Sequence, residues 1–394
     1  MSSIDPTKRS PDGRPVRDTR WRARWRDLDG QHRSKCFDRK IDAQRHLDTV
    51  GTDMVRGEYT DPALRRARFD QWAETWWKLN ADRFRASTRS TSRRILDAYV
   101  IPRFGPRRVG DIDRADVKAW AVEQLEAGAA PRTVRNRVAI VKSILDEAIE
   151  GRAIRDNPAQ GLRLPRGQVE EPTFLTATQI EALADAIAPP YGFLVRFTAY
   201  TGLRPAEVAG LRLRRLDLLT RRVEVIETLT TVAGKVVPGP TKTFARRTVA
   251  LPAFLVDDAT RYLGALTSHS GSAISPDGYV FRSPTGGPLN TDNWRRRVMI
   301  PALGRSSLPL GVRFYDLRHS AAALMIAAGA HPRLVMERLG HADISTTMNV
   351  YGHAWPTLHE QVTDRLDELR EDALRSPWAP APATVISHTR RRSA

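Results

Sequence analysis

The chain has 394 residues, too many for one ordinary core, and 41% of them are hydrophobic, enough for two or three separately packed domains. Its 63 Lys and Arg outweigh 45 Asp and Glu to give a net charge of +18, and the excess is spread as +4 over residues 1–60, +7 over 61–170 and +7 over 171–394. Such a distribution suits a protein that surrounds a polyanion along its length, although a general arginine bias would supply part of it, and it excludes a charge confined to one basic tail.

A single cysteine, Cys36, excludes an internal disulfide framework and fits a reducing cytosol. No apolar run reaches membrane-spanning length and no signal-peptide core opens the sequence, so the expected location is cytoplasmic with no membrane partner.

Residues 1–20, rich in Asp, Pro, Arg and Ser, read as a flexible arm. From Trp21 the pattern alternates, with Trp21, Ala23 and Trp25 on one face and Arg22, Arg24 and Arg26 on the other, which is a half-buried strand. Asp29-Gly30 supplies a hairpin turn, a second strand runs through Ser34–Phe37, and a helix pattern covers Ile41–Val55. Residues 1–60 are therefore expected to form a small sheet backed by one helix. Its arginine face fits a β-ribbon reader of the DNA major groove and, equally, an ordinary solvated face.

Residues 61–165 read as a helical domain. Phe69, Trp72, Trp76 and Leu79 recur at helical spacing and predict a core stripe, and Ser87–Val100 forms a second amphipathic segment. Asp113 predicts the cap of a third helix ahead of Asp116, Val117, Trp120 and Leu125. A fourth follows Pro131, carrying Val134, Val138, Val141, Ile144 and Leu145 inward and Arg132, Arg135, Arg137 and Lys142 elsewhere. Those basic residues suit phosphate contacts, which give affinity without reading bases. Asn157-Pro158 ends the unit, and GLRLPRG at 161–167 is an extended basic connection.

Residues 166–376 mix helices and strands. Thr176 predicts an N-cap, with helices at 178–187 and 191–201. Val223–Ile226, Lys235–Val237 and Thr248–Leu251 predict one small antiparallel sheet with Lys242 in the loop before its last strand, and helices resume at 253–266, 291–300 and 356–375. The last is amphipathic, with Leu358, Val362, Leu366 and Leu369 on one face. Residues 377–394, with Pro, Ala and a terminal Arg cluster, read as a disordered tail.

The chemistry concentrates in FYDLRHSAAALMIAAGAHPRLVMERLGHADISTTMNVYGH at 314–353. A guanidinium is always charged and presents a fork of donors, so Arg318 on a buried helix can grip two phosphate oxygens. The small side chains of 320–329 let that helix approach its neighbours closely and fix Arg318 near its positive N-terminal pole. A phenol such as Tyr351, on a helix that Ser345 or Thr346 can cap, is able to attack phosphorus and leave a covalent phosphotyrosine, although most tyrosines simply pack in a core. A second arginine, Arg204 in TGLRPAEV at 201–208, raises the odds, because two clamping guanidinia suit a transition state whose charge spreads over equatorial oxygens. Between the two lies Thr241-Lys242-Thr243, whose ammonium is able to protonate a leaving oxygen and is otherwise an ordinary solvated lysine.

Taken together, TGLRPAEV at 201–208, TKT at 241–243, DLRH at 316–319, LGH at 339–341 and the run ending at His353 resemble the tyrosine recombinases, the phage integrase family. The resemblance covers residues 170–375 and, more loosely, the regions before them. It implies a multidomain protein, mainly α with small antiparallel β-sheets: an arm-type DNA-binding domain at 1–60, a helical core-binding domain and linker at 61–165, an α+β catalytic domain at 166–376 and a tail at 377–394.

The resemblance further implies that Tyr351 attacks a scissile phosphate in duplex DNA to form a 3′-phosphotyrosyl link and release a 5′-hydroxyl. Arg204 and Arg318 would stabilise the transition state, His341 and Tyr315 would assist, and Lys242 would protonate the leaving oxygen. The link conserves the phosphoester energy, so neither a cofactor nor a metal is expected, and the sequence carries no Walker-type loop or metal-ligand pattern. Implied partners are double-stranded DNA attachment sites, three further copies in a homo-tetramer on DNA, and a directionality factor or host DNA-bending protein. The helix at 356–375 would dock on a neighbouring protomer or on its own domain.

One position departs from the family pattern. Three residues before Arg318 the family usually has histidine, and here stands Tyr315. A tyrosine titrates near 10 against about 6.5 for histidine, so it can donate a hydrogen bond at neutral pH but is a poor base. His319 reads as a buried structural histidine, His353 as a weaker phosphate candidate, and Glu207 and Asp217 as supporting groups. A chromosome-dimer resolvase and a type IB topoisomerase share the chemistry, and a non-catalytic DNA-binding relative shares the basic surface. The strand pattern within residues 1–60 favours an integrase.

Overall fold

The computed structural model describes residues 2–8, 19–165, 167, 172–232, 234–241, 246–270, 274–306, 308–340, 343, 345, 348 and 358–375. The chain divides into two compact units, Met1–Glu170 and Glu171–Ala394.

The first unit opens with β1 (Ser3–Pro6), β2 (Trp21–Arg26) and β3 (His32–Phe37), an antiparallel sheet in the order β1-β2-β3. Strand β1 corrects the expectation of a flexible arm over the first 20 residues, for Ile4 pairs with Ala23 and Pro6 with Trp21. The third strand satisfies an edge of β2 that a bare hairpin would leave to water, and a two-stranded hairpin alone is marginal. The rest of the arm, 9–18, lies outside the described residues. Ala23 and Trp25 are buried, as the alternation predicts, against Ala43, Leu47 and Val50 of α1 (Lys40–Arg56).

Then come α2 (Pro62–Arg66), α3 (Phe69–Asn80), α4 (Ala86–Ile95), α5 (Ile101–Phe104), α6 (Arg114–Glu126) and α7 (Pro131–Glu150). Asp113 caps α6 as expected, its carboxylate accepting the Asp116 N–H at 2.8 Å. Phe104 sits at the centre of this core, its ring 5.7 Å from Phe69 and 5.1 Å from Trp120. Leu79, expected on the core stripe, is instead exposed. Trp76, Trp77 and Phe84 stack together at 5.9–6.4 Å and fill the space at that end of α3.

The helix expected to stop at Val100 continues to Phe104 through a π turn over Leu96–Val100. Pro102 explains the turn: its missing N–H and its ring disallow a regular α ladder, and one wider turn accommodates both. Within this unit Arg33 ties the sheet to the helices, bonding Asp27 at 2.8 Å and Asp61, the cap of α2, at 2.5 Å.

The second unit begins with α8 (Ala177–Asp185), capped by the Thr176 hydroxyl as predicted, α9 (Gly192–Thr201) and α10 (Pro205–Ala209). Five strands follow, β4 (Leu216–Asp217), β5 (Arg222–Val225), β6 (Glu227–Val232), β7 (Lys235–Pro240) and β8 (Arg247–Ala250). They correct the single sheet expected from the sequence, forming a β4-β5-β8 sheet and a separate β6-β7 hairpin. The ladder breaks at Ile226, where β6 leaves its predecessor and packs on the end of α10. A Cβ at Gly210 there would come within 3.1 Å of the Thr228 backbone.

The unit continues with α11 (Ala253–Ser270), α12 (Thr291–Trp294), α13 (Ile300–Arg305), α14 (Phe314–Ala327), α15 (Pro332–Leu339) and α16 (Leu358–Arg375). A second π turn, Arg295–Met299, precedes Pro301 and carries the helix expected at 291–300 on to Arg305. Phe193, Phe197, Tyr262 and Phe281 stack in the core at 5.2–5.7 Å. Leu366 and Leu369 of α16 are exposed in the single chain. The tail at 377–394 lies outside the described residues, among which no helix is long and apolar enough to cross a membrane.

Candidate active site

The site starts from a tight turn between α9 and α10. Gly202 ends α9 in the left-handed region, at φ 72°, with its N–H on the Thr198 carbonyl. A side chain there would be strained and would also collide with the Leu339 Cδ2 atom at 2.7 Å. Arg204 follows in extended backbone, and Pro205 starts α10, where its missing N–H costs nothing. Glu207 then folds back, accepting the Arg204 N–H at 2.8 Å and its Nη1 at 2.8 Å. The other end of the guanidinium, Nη2, donates to the Gly340 carbonyl at 2.9 Å.

Arg318 reaches the same corner from α14. Its helix starts behind Arg313, whose N–H and guanidinium both bond Asp316. Ser320, Ala321 and Ala322 are buried, and a Cβ added at Gly202 would lie only 3.4 Å from that of Ala321, so the close helix approach expected from small residues is realised. Arg318 is 1% exposed, and its Nη1 and Nη2 donate to the carbonyls of Gly202 at 2.7 Å and Leu339 at 2.6 Å. Two arginines 114 positions apart thus hold the adjacent carbonyls of Leu339 and Gly340, directly before His341.

Electrostatics set the character of this corner. Burial and the nearby Arg204 lower the Arg318 guanidinium to about 10, so it still carries its charge at neutral pH. Burial alone would raise Glu207, yet hydrogen bonds and charge from Arg247, with the Arg204 N–H and charge, outweigh it and hold the carboxyl at about 2. Arg247 grips both oxygens of Glu207, at 3.0 and 2.7 Å, and places Nε on the Arg338 carbonyl at 3.0 Å. Arg338 donates in turn to the carbonyls of Tyr200 and Ala250, and burial lowers it. Gly340, at φ 66°, is hemmed in by Arg247, whose guanidinium lies 3.1 Å from where a Cβ would stand.

Of the residues proposed from sequence, Arg204 and Arg318 are brought together. Tyr315, one turn before Arg318, is 41% exposed, with its ring 5.1 Å from that of His319. His319 also meets Phe174 edge-on, and burial lowers it, in keeping with a structural histidine. Glu207 is a supporting group at the site, whereas Asp217 only closes a turn, accepting from the Thr220 N–H and hydroxyl. Lys242, His341, Tyr351 and His353 lie outside the described residues, as does Thr346, while the N–H of Ser345 donates to the Asp343 side chain.

Arg247 and Arg338 escaped the sequence reading. A signal for Arg247 was present: the alternation that buries Val249 and Leu251 puts Arg247 on the same inward face of β8, where a guanidinium demands a partner. Among the described residues no cluster of His, Cys, Asp and Glu is arranged to hold a metal ion.

Comparison with known proteins agrees with this geometry. Residues 173–357 match the sequence model of the Phage integrase family and residues 69–164 that of the Phage integrase central domain. The prophage phiRv2 integrase of Mycobacterium tuberculosis is 25% identical over 368 residues, spanning 90% of this chain and 94% of that protein. A Tn1549 transposon integrase in complex with a circular intermediate DNA has the same fold, at 22% identity and a TM-score of 0.63, over 75% of this chain and 99% of that one. The lambda integrase tetramer bound to a Holliday junction follows at 17% identity and 0.54, over 82% and 91%. The chain belongs to the phage integrase family, the tyrosine recombinases, enzymes that cut and rejoin DNA.

Proposed function

We propose that this recombinase integrates or excises a mobile element at DNA attachment sites, with Tyr351 as nucleophile and Arg204 and Arg318 as the phosphate clamp. The observation that carries the reading is the convergence of those two guanidinia on the Leu339–Gly340 carbonyls. Fixed charges in a water-poor corner stabilise developing negative charge without reorganising, which is the largest single lever on phosphoryl transfer. His341, next after Gly340, and Tyr315 assist at the non-bridging oxygens, and Lys242 protonates the 5′ oxygen as it leaves.

The match to a prophage integrase over 90% of the chain extends into the first 60 residues, which supports an integrase over a shorter chromosome-dimer resolvase. A homo-tetramer on two duplexes, a directionality factor or host bending protein, and a cytoplasmic location complete the proposal. The tetramer is supported by the lambda integrase assembly of similar fold.

The test is a nicked duplex bearing the presumed crossover site, taken from DNA flanking the gene, and a denaturing gel that reads the covalent protein–DNA band. The band is expected with the natural chain and lost in Tyr351→Phe while DNA binding persists. Cleavage retained by Tyr351→Phe refutes the nucleophile, and a bound duplex that never yields a band refutes catalysis.

A further inference from the structure

We infer that Arg247 is a positioning residue for DNA cleavage, acting through Glu207 to orient the Arg204 guanidinium. The inference rests on the recombinase reading above and adds a residue that the family motifs in this sequence did not mark.

Three observations carry it. First, Glu207 anchors one end of Arg204, through the backbone N–H and through Nη1, and Arg247 is the second guanidinium on the same two oxygens. The bonds from Arg204 alone would let the carboxylate move together with the guanidinium it holds. Bidentate bonding from Arg247 ties the same two oxygens to the opposite wall and so aims Arg204. Second, Arg247 reaches the opposite wall too, through the Arg338 carbonyl, and packs against Gly340, whose carbonyl holds the other end of Arg204. Both anchors of the Arg204 fork are therefore set by one side chain. Third, Arg247 is itself largely buried, with its Nε, Nη1 and Nη2 all engaged by protein acceptors, so it is built into the wall of the site.

The conservative change is Arg247→Lys, which keeps the charge but offers a point donor that cannot grip both oxygens and also reach the Arg338 carbonyl. The assay is single-turnover cleavage of the nicked duplex at saturating protein, with gel-shift affinity and thermal unfolding measured alongside. Cleavage by Arg247→Lys is expected to slow roughly 10- to 100-fold, as small misplacements of a catalytic group do. DNA affinity should stay close to that of the natural chain and the variant should remain fully folded at the assay temperature, so that the slowed cleavage is not a loss of folded protein.

Combining Arg247→Lys with Glu207→Gln tests the route: if Arg247 acts through Glu207, the double variant cleaves no more slowly than the slower single one. Multiplying defects, or an Arg247→Lys variant that cleaves at the natural rate, overturn the inference while leaving the recombinase reading intact. Should Arg247→Lys fail to fold, the pair Arg247→Met with Glu207→Gln removes both buried charges together. That pair is expected to bind DNA and cleave slowly, and natural-rate cleavage by it overturns the inference. Absence of any adduct from the natural chain overturns the recombinase reading, and this inference with it.

Discussion

Glu207→Gln should destabilise the second unit by about 3 kcal/mol at neutral pH, and the loss should vanish in acid. The carboxylate is fully buried and accepts four hydrogen bonds, two from Arg204 and two from Arg247. Glutamine has one acceptor oxygen, and its amide group would face guanidinium donors, leaving two buried cations without their shared counter-charge. Folding moves this carboxyl from 4.5 down to about 2, which corresponds to about 3 kcal/mol at roughly 1.4 kcal/mol per tenfold of proton affinity. Removing one member of a buried pair typically costs about 3–5 kcal/mol, the same order.

The sign follows from the lowered folded value. The contribution is complete above about pH 4.5, where the unfolded chain is also ionised, and is lost as pH falls through the range down to about 2. Urea unfolding of the natural chain and the Glu207→Gln variant from pH 7 to pH 3, read as the difference between them, isolates this group because other carboxylates titrate in both. A difference that stays constant from pH 7 to pH 3, or that is absent at pH 7, would show that the hub is not what holds the corner together.

Gly202→Ala should cost roughly 2–4 kcal/mol, combining left-handed strain with a collision on Leu339, whereas Gly30→Ala, equally left-handed but with open space around it, should cost only about 1–2; equal losses in chemical denaturation would dismiss the collision. Phe104→Ala should cost about 3–5 kcal/mol, and hydrogen exchange should place the loss in amides of residues 69–150 with those of α9 and α14 unchanged. Tyr315→His installs a group that titrates near 6.5, so its single-turnover cleavage rate should acquire a dependence on pH between about 5.5 and 7.5 beyond that of the natural enzyme. Superimposable pH profiles would show that position 315 takes no part in proton transfer.

Local signals made the Arg204 turn legible from sequence: glycine closes one helix, proline opens the next, and a glutamate three residues on caps it. Arg318 and its Ala-rich helix were legible for the same reason, since small residues in one stretch report a close packing face. What escaped was set at a distance. Arg247 and Glu207 are 40 positions apart, and only the inward register of β8 hinted that the arginine needed a partner. Ser3–Pro6 is too short to show an alternation, and its pairing with β2 depends on a strand that begins well down the chain at Trp21. The break between the two small sheets likewise follows from the packing of β6 on Gly210, which no strand pattern encodes. The π turns differ, because Pro102 and Pro301 mark them in the sequence for a reader who expects the helix to continue.

The charge balance of the corner explains why so much buried polarity is kept. Two guanidinia, Arg204 and Arg247, share the carboxylate of Glu207, while among the described residues the nearby Arg318 is met only by backbone carbonyls. Carbonyl dipoles orient a cation but do not neutralise it, and the consequence is visible in Arg318, lowered by burial and by its neighbour Arg204. An anion entering this corner therefore relieves repulsion already present and gains more as its own charge grows. A phosphorane-like transition state, more highly charged at its equatorial oxygens than the DNA phosphate that precedes it, gains most. Glu207 tempers that field without cancelling it: by engaging Arg204 and Arg247 together it lets the pair be buried at all, and it leaves the net positive charge that the scissile phosphate would complete in the proposed reaction.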